Sequence, residues 1–284
     1  IVPRGAGTNL VGSVVPSKSI VMDFTKMDKI LDIDKDTVTV QPGVVLSDLN
    51  NKLKDKFFPI IPVDANTCTI GGMCGINSSG IYEKRFGRMK DWVIEVDMVD
   101  GKGAIKKLDS RVIGTEGIIG AFTGIKLRLA NRIHELSMEI LKFSTIEELM
   151  EKLSELRLNK DAIAIEFISA TAARHSGLEN KHHLIVEYSN LEGQIKDNHE
   201  MRRVWSIQKS IFSNLANKDF IYTEDPNISF DSMAELILWL EKKGHPSYGP
   251  IGTGNLFVAF ENREELPEFY QFLSSASRVF SHLN

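Results

Sequence analysis

The sequence predicts an α+β protein of two domains, with the boundary near residue 130. Its 284 residues exceed what one hydrophobic core usually supports. Up to about residue 130, short β-type segments are punctuated by glycine, and beyond it β-type segments alternate with helical apolar spacing. We therefore predict a first domain over 1–130 and a second over 131–284, the second being an antiparallel sheet with helices on one face.

The composition is that of an ordinary globular protein, with 42% hydrophobic and 25% charged residues, which excludes a disordered, collagen-like or disulfide-scaffold chain. The net charge of -4 disfavours general nucleic-acid binding. Two cysteines, Cys68 and Cys74, do not make a metal site alone. No apolar run approaches the roughly 20 residues that span a bilayer. A cytoplasmic protein is expected, with peripheral membrane attachment through a partner as the alternative.

The first domain is predicted from short apolar runs and turn signals. Strands are expected at 20–24, 37–40, 92–99 and 122–129, and a helix within 44–53. Leucines at helical spacing indicate the helix, which Ser47 or Asp48 would cap. The polar stretch 32–36 predicts a turn, and Asp100-Gly101 predicts a hairpin.

The second domain is predicted from capping sequences and apolar periodicity. Ser144 and Ser232 each begin the capping-box sequence S-x-x-E, which indicates the start of a helix. Leu149, Leu153 and Leu156 then share one helical face. Strands are expected at 162–169, 184–188 and 255–260, and further helices at 194–215 and from 264 onward.

Three clusters of glycine and small polar residues lie in the first domain. They are segment I (3–9, P-R-G-A-G-T-N), segment II (67–80, T-C-T-I-G-G-M-C-G-I-N-S-S-G) and segment III (114–120, G-T-E-G-I-I-G). Glycine admits a ligand close to the main chain, and Thr8, Asn9 and Ser13 would add donors for phosphate oxygens. One such loop would as readily be a tight turn, but three predict backbone around one extended, phosphate-bearing ligand. Neither a G-x-G-x-x-G dinucleotide fingerprint nor a Walker lysine is present, so the residues alone indicate a nucleotide-like cofactor.

These segments, together with V-Q-P-G-V at 40–44, resemble the FAD-linked oxidases of the vanillyl-alcohol oxidase (PCMH) type. Within that family they resemble the glycolate oxidase flavin subunit and the D-lactate dehydrogenases. The resemblance implies a PCMH-type FAD-binding domain over 1–130, made of two α/β subdomains, with the N-terminal strand and helix of the first subdomain missing. An antiparallel-sheet α+β cap domain over 131–284 would cover the flavin and carry the substrate pocket.

The implied cofactor is FAD, held non-covalently, because no histidine lies in segments I or II. Cys74 is the one nucleophile near the expected flavin, and we expect it to be a small buried residue. Segment I would hold the pyrophosphate, segment II the ribityl chain and flavin, and 116–120 the adenosine end. The implied cofactor-binding residues are Pro3, Arg4, Gly5, Ala6, Gly7, Thr8, Asn9, Ser13, Thr67, Thr69, Gly71, Gly72, Cys74, Gly75, Asn77, Gly80, Glu116, Gly117 and Ile119.

The substrate motifs of the family are altered in this chain. Relatives that act on D-2-hydroxy acids carry G-H-x-G-D-G-N-L-H, whose histidines can bind a divalent metal. Here 249–257 is G-P-I-G-T-G-N-L-F, so Pro250 and Phe257 replace both histidines and no metal is expected. Relatives also have a tryptophan followed three residues later by a carboxylate-binding arginine, where this chain has Trp205 and Gln208. Their late S-G-E-H-G segment has no counterpart.

The resemblance implies an FAD-dependent oxidoreductase that transfers a hydride from a 2-hydroxy acid such as glycolate or D-lactate to flavin N5. The altered motifs leave open a non-catalytic or electron-transfer flavoprotein subunit of a larger complex with a partner redox subunit. A third alternative is that this length of chain retains no FAD. The catalytic residues are not identified, and the candidates are His245, Tyr248, Asn255 and Lys209.

Overall fold

The structure is a computed structural model that describes residues 1–9 and 12–278. The chain folds as two compact units, residues 1–133 and a second unit from His134 onward. This division lies close to the boundary predicted at residue 130. Each unit contains its own hydrophobic core.

The first unit is built on an antiparallel sheet. Its strands and helices are β1 (Val2–Arg4), β2 (Val21–Asp23), β3 (Ile30–Ile33), β4 (Thr37–Val40), α1 (Leu46–Lys52), β5 (Lys56–Phe57), α2 (Ile70–Ile76), α3 (Glu83–Phe86), α4 (Met89–Trp92), β6 (Val93–Val99), β7 (Ile105–Leu108), β8 (Ala121–Arg128) and β9 (Ala130–Asn131). The five-stranded sheet has the order β3-β4-β8-β6-β7. Strands β1 and β2 form a parallel pair, and β5 and β9 an antiparallel pair.

The core of the first unit joins this sheet to α1, α2 and α4. The strands contribute side chains such as Val40 and Ile125, and the helices contribute Leu49, Met73 and Met89, all buried. Burying an apolar side chain of this size contributes about 1.5–3 kcal/mol to folding. The core therefore fixes α2, which carries much of segment II, against the sheet.

The strands predicted for the first unit are confirmed as β2, β4, β6 and β8, and the helix within 44–53 as α1. The turn predicted at 32–36 is wrong in part, because Ile30–Ile33 forms the edge strand β3. Leu31 and Ile33 stay about half exposed there, so a buried-strand pattern is missing. The predicted cap of α1 is also wrong, since Ser47 and Asp48 lie inside the helix.

The second unit is also built on an antiparallel sheet. Its elements are β10 (Ser137–Phe143), α5 (Ile146–Leu158), β11 (Ala162–Ile168), α6 (Ala170–His175), β12 (His182–Tyr188), α7 (Asn198–Ala216), β13 (Tyr222–Glu224), α8 (Phe230–Lys243), β14 (Ser247–Gly249), β15 (Phe257–Phe260) and α9 (Leu266–Arg278). The strand order is β10-β12-β11-β14-β15-β13, and every pairing is antiparallel.

Helices cover both faces of this sheet, so the predicted covering of one face is wrong. On one face, Phe167 and Leu184 pack with α5 and α8. On the other face, Ile168 and Ile185 pack with α6 and α7. Every residue of β11 and β12 is buried, and the nearly continuous apolar sequence of β11 is typical of a strand covered on both sides. We call the second surface the α7 face.

Two helix starts differ from the predicted capping boxes. Helix α5 is capped by Thr145 and not by Ser144, since the Thr145 side chain accepts a hydrogen bond from the amide of Glu148. Helix α8 begins after Ser229, which leaves Ser232 inside the helix. The apolar spacing was the more dependable signal, because the leucines predicted to face inward on α5 are buried.

Candidate functional site

Segments I, II and III lie next to one another in the first unit. The main-chain N–H of Gly114 donates to the carbonyl of Cys74, and that of Glu116 donates to the carbonyl of Gly75, both at 2.9 Å. These bonds join segment III directly to segment II. The three stretches that are separated in the sequence therefore share one place in the fold.

Two glycines allow segment I to approach the other two segments closely. A Cβ atom on Gly5 would overlap the hydroxyl oxygen of Thr69 in segment II. A Cβ atom on Gly117 in segment III would overlap the ring of Pro3, and the φ of Gly117 is 79°, in the left-handed region. Glycine is required at both positions by the close packing of the segments.

Segment II contains a helix, α2, where the sequence predicted a glycine-rich loop. Thr69 caps this helix, and Asn77 ends it with a left-handed φ of 51°. Ile70, Met73 and Cys74 lie on its buried side. Helix propensity does not predict α2, because three of its seven residues are glycine. The Thr69 cap and the i, i+3, i+4 spacing of apolar residues do indicate a helix.

The side of α2 opposite the core presents Gly72 and Gly75, beside the exposed side chain of Ile76. A Cβ atom on Gly75 would meet no atom within 4 Å, and one on Gly72 would meet only the Thr69 hydroxyl oxygen, at 3.2 Å. Gly71 differs, because it packs on Pro42 and its amide donates to the Pro42 carbonyl at 2.7 Å. The bare surface at Gly72 and Gly75 fits a cofactor bound close to the main chain.

The remaining residues predicted in segment I and beyond it form local contacts. The Arg4 guanidinium lies 3.7 Å from the Asp23 carboxylate. The Ser13 hydroxyl donates to the Asn9 side chain at 3.2 Å. Ala6 is half-buried, whereas Gly7 and Thr8 are exposed. These contacts, from Arg4 to Asp23 and from Ser13 to Asn9, connect segment I to the residues that follow it.

Several predicted residues of segments II and III contribute less to the shared surface. The Thr67 hydroxyl donates to the Asp64 carbonyl at 3.0 Å within its own turn. Gly80 packs against the backbone of Ile61. Ile119 is 40% exposed.

Both cysteines are buried thiols in the core of the first unit. Burial raises the pKa of the Cys68 thiol to about 12 and also raises the pKa of Cys74. Since the thiolate is the nucleophile, Cys74 is a poor candidate for covalent attachment to a flavin.

The catalytic candidates of the second unit lie on different faces of the sheet. His245 packs between the rings of Trp239 and Phe260, with centroid separations of 5.8 and 4.7 Å, in the core beneath α8. Burial lowers its pKa, which favours the neutral imidazole. Tyr248 lies on the α7 face, 5.5 Å from the ring of Phe257. His245 and Tyr248 are therefore not parts of one catalytic group.

The other two candidates lie in different elements, Asn255 before β15 and Lys209 on α7. The Asn227 amide donates to the side-chain oxygen of Asn255 at 3.0 Å, which ties down the turn before β15. Lys209 is exposed on α7. Among the described residues, no group of three His, Cys, Asp or Glu side chains is placed to hold a metal ion.

Two buried carboxyl groups on the α7 face were not predicted from the sequence. Glu166 and Glu187 are 3% and 2% exposed. The Gln208 amide donates to Glu166 at 2.8 Å, and the Trp205 ring N–H donates to Glu187 at 2.6 Å. Burial raises the pKa of the Glu166 carboxyl to about 8. β11 has a single acidic residue in an apolar sequence, whereas β12 also contains two histidines, so neither carboxyl could be assigned to this face from the sequence.

Strand register brings the two altered substrate motifs to this same face. Tyr248 pairs with Ile168, which is two residues from Glu166 and so points the same way. Phe257 in turn pairs with Tyr248. Gln208 reaches Glu166 from the helix above. The positions singled out at 205–208 and 249–257 therefore meet on the α7 face.

The fold and the converging segments define the first unit as an FAD-binding domain of the PCMH type. Residues 1–109 match the family described as FAD binding domain. The expected cofactor, FAD, is thereby confirmed.

The curated relatives are hydroxy-acid oxidoreductases by name. Glycolate oxidase subunit GlcD of Bacillus subtilis is 31% identical over 189 residues, which cover 60% of this chain and 39% of the relative. The mitochondrial D-lactate dehydrogenase [cytochrome] of Arabidopsis thaliana is 26% identical over 245 residues, covering 80% of this chain and 43% of the relative. The chain thus spans about two fifths of the length of these relatives.

Solved structures share the fold across both units. Two crystal structures of alkyldihydroxyacetonephosphate synthase superpose with TM-scores of 0.70 and 0.71 at 15% identity. They cover 95% and 97% of this chain, and 68% and 65% of the solved chains. Among the helices of the described residues, none has the length and apolar character needed to cross a membrane.

Proposed function

We propose that the chain is the flavin-binding part of an FAD-dependent oxidoreductase that oxidises a small hydroxyl-bearing molecule. The observation that carries this proposal is the meeting of segments I, II and III in a domain of the FAD-binding family. The relatives named glycolate oxidase subunit and D-lactate dehydrogenase support the same class of reaction. A third relative, named D-2-hydroxyglutarate dehydrogenase, of Stutzerimonas stutzeri, also supports it. This relative is 29% identical over 190 residues, which cover 61% of this chain and 41% of the relative.

In this proposal, segments I to III hold FAD non-covalently, mainly through main-chain groups. The bare side of α2 at Gly72 and Gly75 leaves room for the cofactor. The hydrogen bonds from segment III to the carbonyls of Cys74 and Gly75 fix that side of the helix. FAD, when bound, supplies a hydride acceptor. The chain's own share is to orient the cofactor and restrict water around it.

The second unit would act as the cap that binds the substrate on the α7 face. Glu166 and Tyr248 are the ionisable groups of this face that we propose for hydrogen bonding to the substrate. Burial raises the pKa of both side chains, so both are protonated donors at pH 7. His245 lies in the core on the other side of the sheet, and we propose no proton transfer for it.

A second candidate function is a flavoprotein subunit without substrate chemistry of its own, working with a partner redox subunit. It is favoured by the residues at the altered motifs, because Gln208, Pro250 and Phe257 supply neither a cation nor a metal ligand. The relative in Bacillus subtilis is itself named a subunit.

Anaerobic spectroscopy of the purified chain separates the two functions. Glycolate, D-lactate and D-2-hydroxyglutarate are each added to the FAD-loaded protein, and the flavin absorbance is followed. Bleaching by any of them supports the oxidoreductase. Bound FAD that dithionite reduces but that no hydroxyl compound bleaches supports the second candidate. A chain that takes up no FAD contradicts both.

The FAD site itself is tested by Gly72→Val. The added side chain would enter the bare surface of α2, so we expect FAD occupancy to fall at least tenfold. Gly101→Val is the matched control, because Gly101 lies in the β6–β7 hairpin, where a Cβ atom meets nothing within 4 Å. Flavin released by heat is quantified for both variants. Full occupancy in Gly72→Val would contradict the site.

A further inference from the structure

Glu166 lies on the α7 face without a cation beside it. Among the described residues its carboxyl has one hydrogen-bond partner, the uncharged amide of Gln208. No charged side chain contributes to the raised pKa of this carboxyl, which arises from burial. The exposed Lys209 follows Gln208 on the helix without a contact to Glu166. The Glu166 carboxyl is therefore mostly uncharged at pH 7.

An anionic ligand would be poorly accommodated at such a centre. A carboxylate brought beside Glu166 would lose water and meet no opposite charge, which is costly in a buried place. The second buried carboxyl, Glu187, belongs to the same face and adds no positive charge. Arginine binds carboxylates through a planar pair of N–H donors, and glutamine does not replace that geometry or charge.

A neutral amide would find matching groups there. Beyond the bond to Glu166, Gln208 has a second amide hydrogen and a carbonyl oxygen that bond to no described residue, and its side chain is half-buried. These groups complement the oxygen and N–H of a carboxamide. Tyr248 and Phe257 form an aromatic pair on this face, in which Tyr248 is buried and Phe257, at 37% exposed, can be reached by a ligand.

We propose that the α7 face binds 2-hydroxyamides with an apolar or aromatic side chain in preference to the corresponding 2-hydroxy acids. Gln208 and Glu166 would recognise the carboxamide, and Tyr248 and Phe257 the apolar part. The inference rests on the proposed function, because it names the substrate class of that same site. It concerns binding and is separate from whether the flavin is reduced.

The test is calorimetric titration of the FAD-loaded chain with (R)-mandelamide and (R)-mandelate, which differ in the carboxamide and the carboxylate. We expect the wild-type chain to bind the amide at least tenfold more tightly. Gln208→Arg should raise mandelate affinity at least tenfold and reverse the preference, since arginine supplies the missing cation. Ser206→Arg places the same charge at an exposed position of α7 and should leave the preference unchanged.

A wild-type chain that binds mandelate as well as the amide, or that binds neither, overturns the proposal. So does an equal effect of Ser206→Arg and Gln208→Arg, because net charge alone would then explain the change. Should Gln208→Arg fail to fold, Gln208→Leu should weaken amide binding at least tenfold without strengthening mandelate binding. Selective amide binding without flavin bleaching would keep this inference and count against the oxidoreductase.

Discussion

Glu166 shows how one residue can relate packing to pH. Its carboxyl is buried in β11 with one amide partner, and burial raises its pKa from 4.5 to about 8. In the unfolded chain the same group would lose its proton near its ordinary pKa. The folded state therefore binds one more proton between these two values.

This difference predicts how Glu166→Gln changes the pH dependence of stability. The stabilising contribution of protonated Glu166 is complete below pH 4.5 and is lost as pH rises through 8, at up to about 1.4 kcal/mol per pH unit. Urea unfolding of both proteins from pH 5 to 9 measures the difference, in which the histidines common to both proteins cancel. The wild-type free energy of unfolding should fall relative to that of the variant up to pH 8 and then stay level. A constant difference across this range would contradict the prediction.

At the residue scale, glycine patterns were informative and buried acids were not. Gly5 and Gly117 could be predicted as close-approach positions because their segments also contained other small residues. Glu166 could not be assigned from sequence, since a single acidic residue in A-I-A-I-E-F-I fits an exposed strand position equally well. Its burial depends on α7 covering this face, which strand periodicity does not reveal.

Helix α5 allows a direct test at the scale of one element. Thr145 accepts a hydrogen bond from the Glu148 amide at 3.3 Å, whereas the sequence pattern favoured Ser144 as the cap. We expect Thr145→Ala to lower the free energy of unfolding by about 1 kcal/mol and Ser144→Ala to change it little. Chemical denaturation of the three proteins checks this. The reverse ranking would restore Ser144 as the cap.

Two of the elements that the sequence missed, β3 and α2, lack different local signals. Strand β3 is an exposed edge, so its sequence has no inward-facing alternation. Helix α2 has poor helix formers, yet Thr69 and the core contacts of Ile70 and Met73 hold it in place. In both cases tertiary position decides a structure that local preference leaves open.

For the whole chain, ligand binding should stabilise the first unit through segments I, II and III. Hydrogen exchange measured with and without saturating FAD should show greater amide protection in 67–80 and 114–120, because binding to the folded state raises its stability. The α5 peptide 146–158, in the core of the second unit, is the internal reference. Protection confined to the reference peptide would contradict the assignment of the cofactor to these segments.

The sequence pattern changes near residue 130, and each of the two units has its own core. The distribution of helices over the two faces of the second unit's sheet could not be predicted from the sequence. Helical and strand patterns reveal which faces are apolar, but they do not tell whether two helices share one side of a sheet or divide between both. Only the register of β11, β14 and β15 brings Glu166, Tyr248 and Phe257 together.

Helix α2 has one further consequence for interpreting variants. Its inward residues belong to the core, and its outward glycines belong to the FAD surface that we propose, so the core packing and the proposed site depend on the same seven residues. A smaller side chain at Met73 would leave a cavity beneath α2, so the helix could shift and displace its glycines without any direct contact between residue 73 and the cofactor. Loss of bound flavin in such a mutant would therefore reflect a displaced helix. Contact between α2 and the flavin has to be tested by substitutions at the outward positions alone.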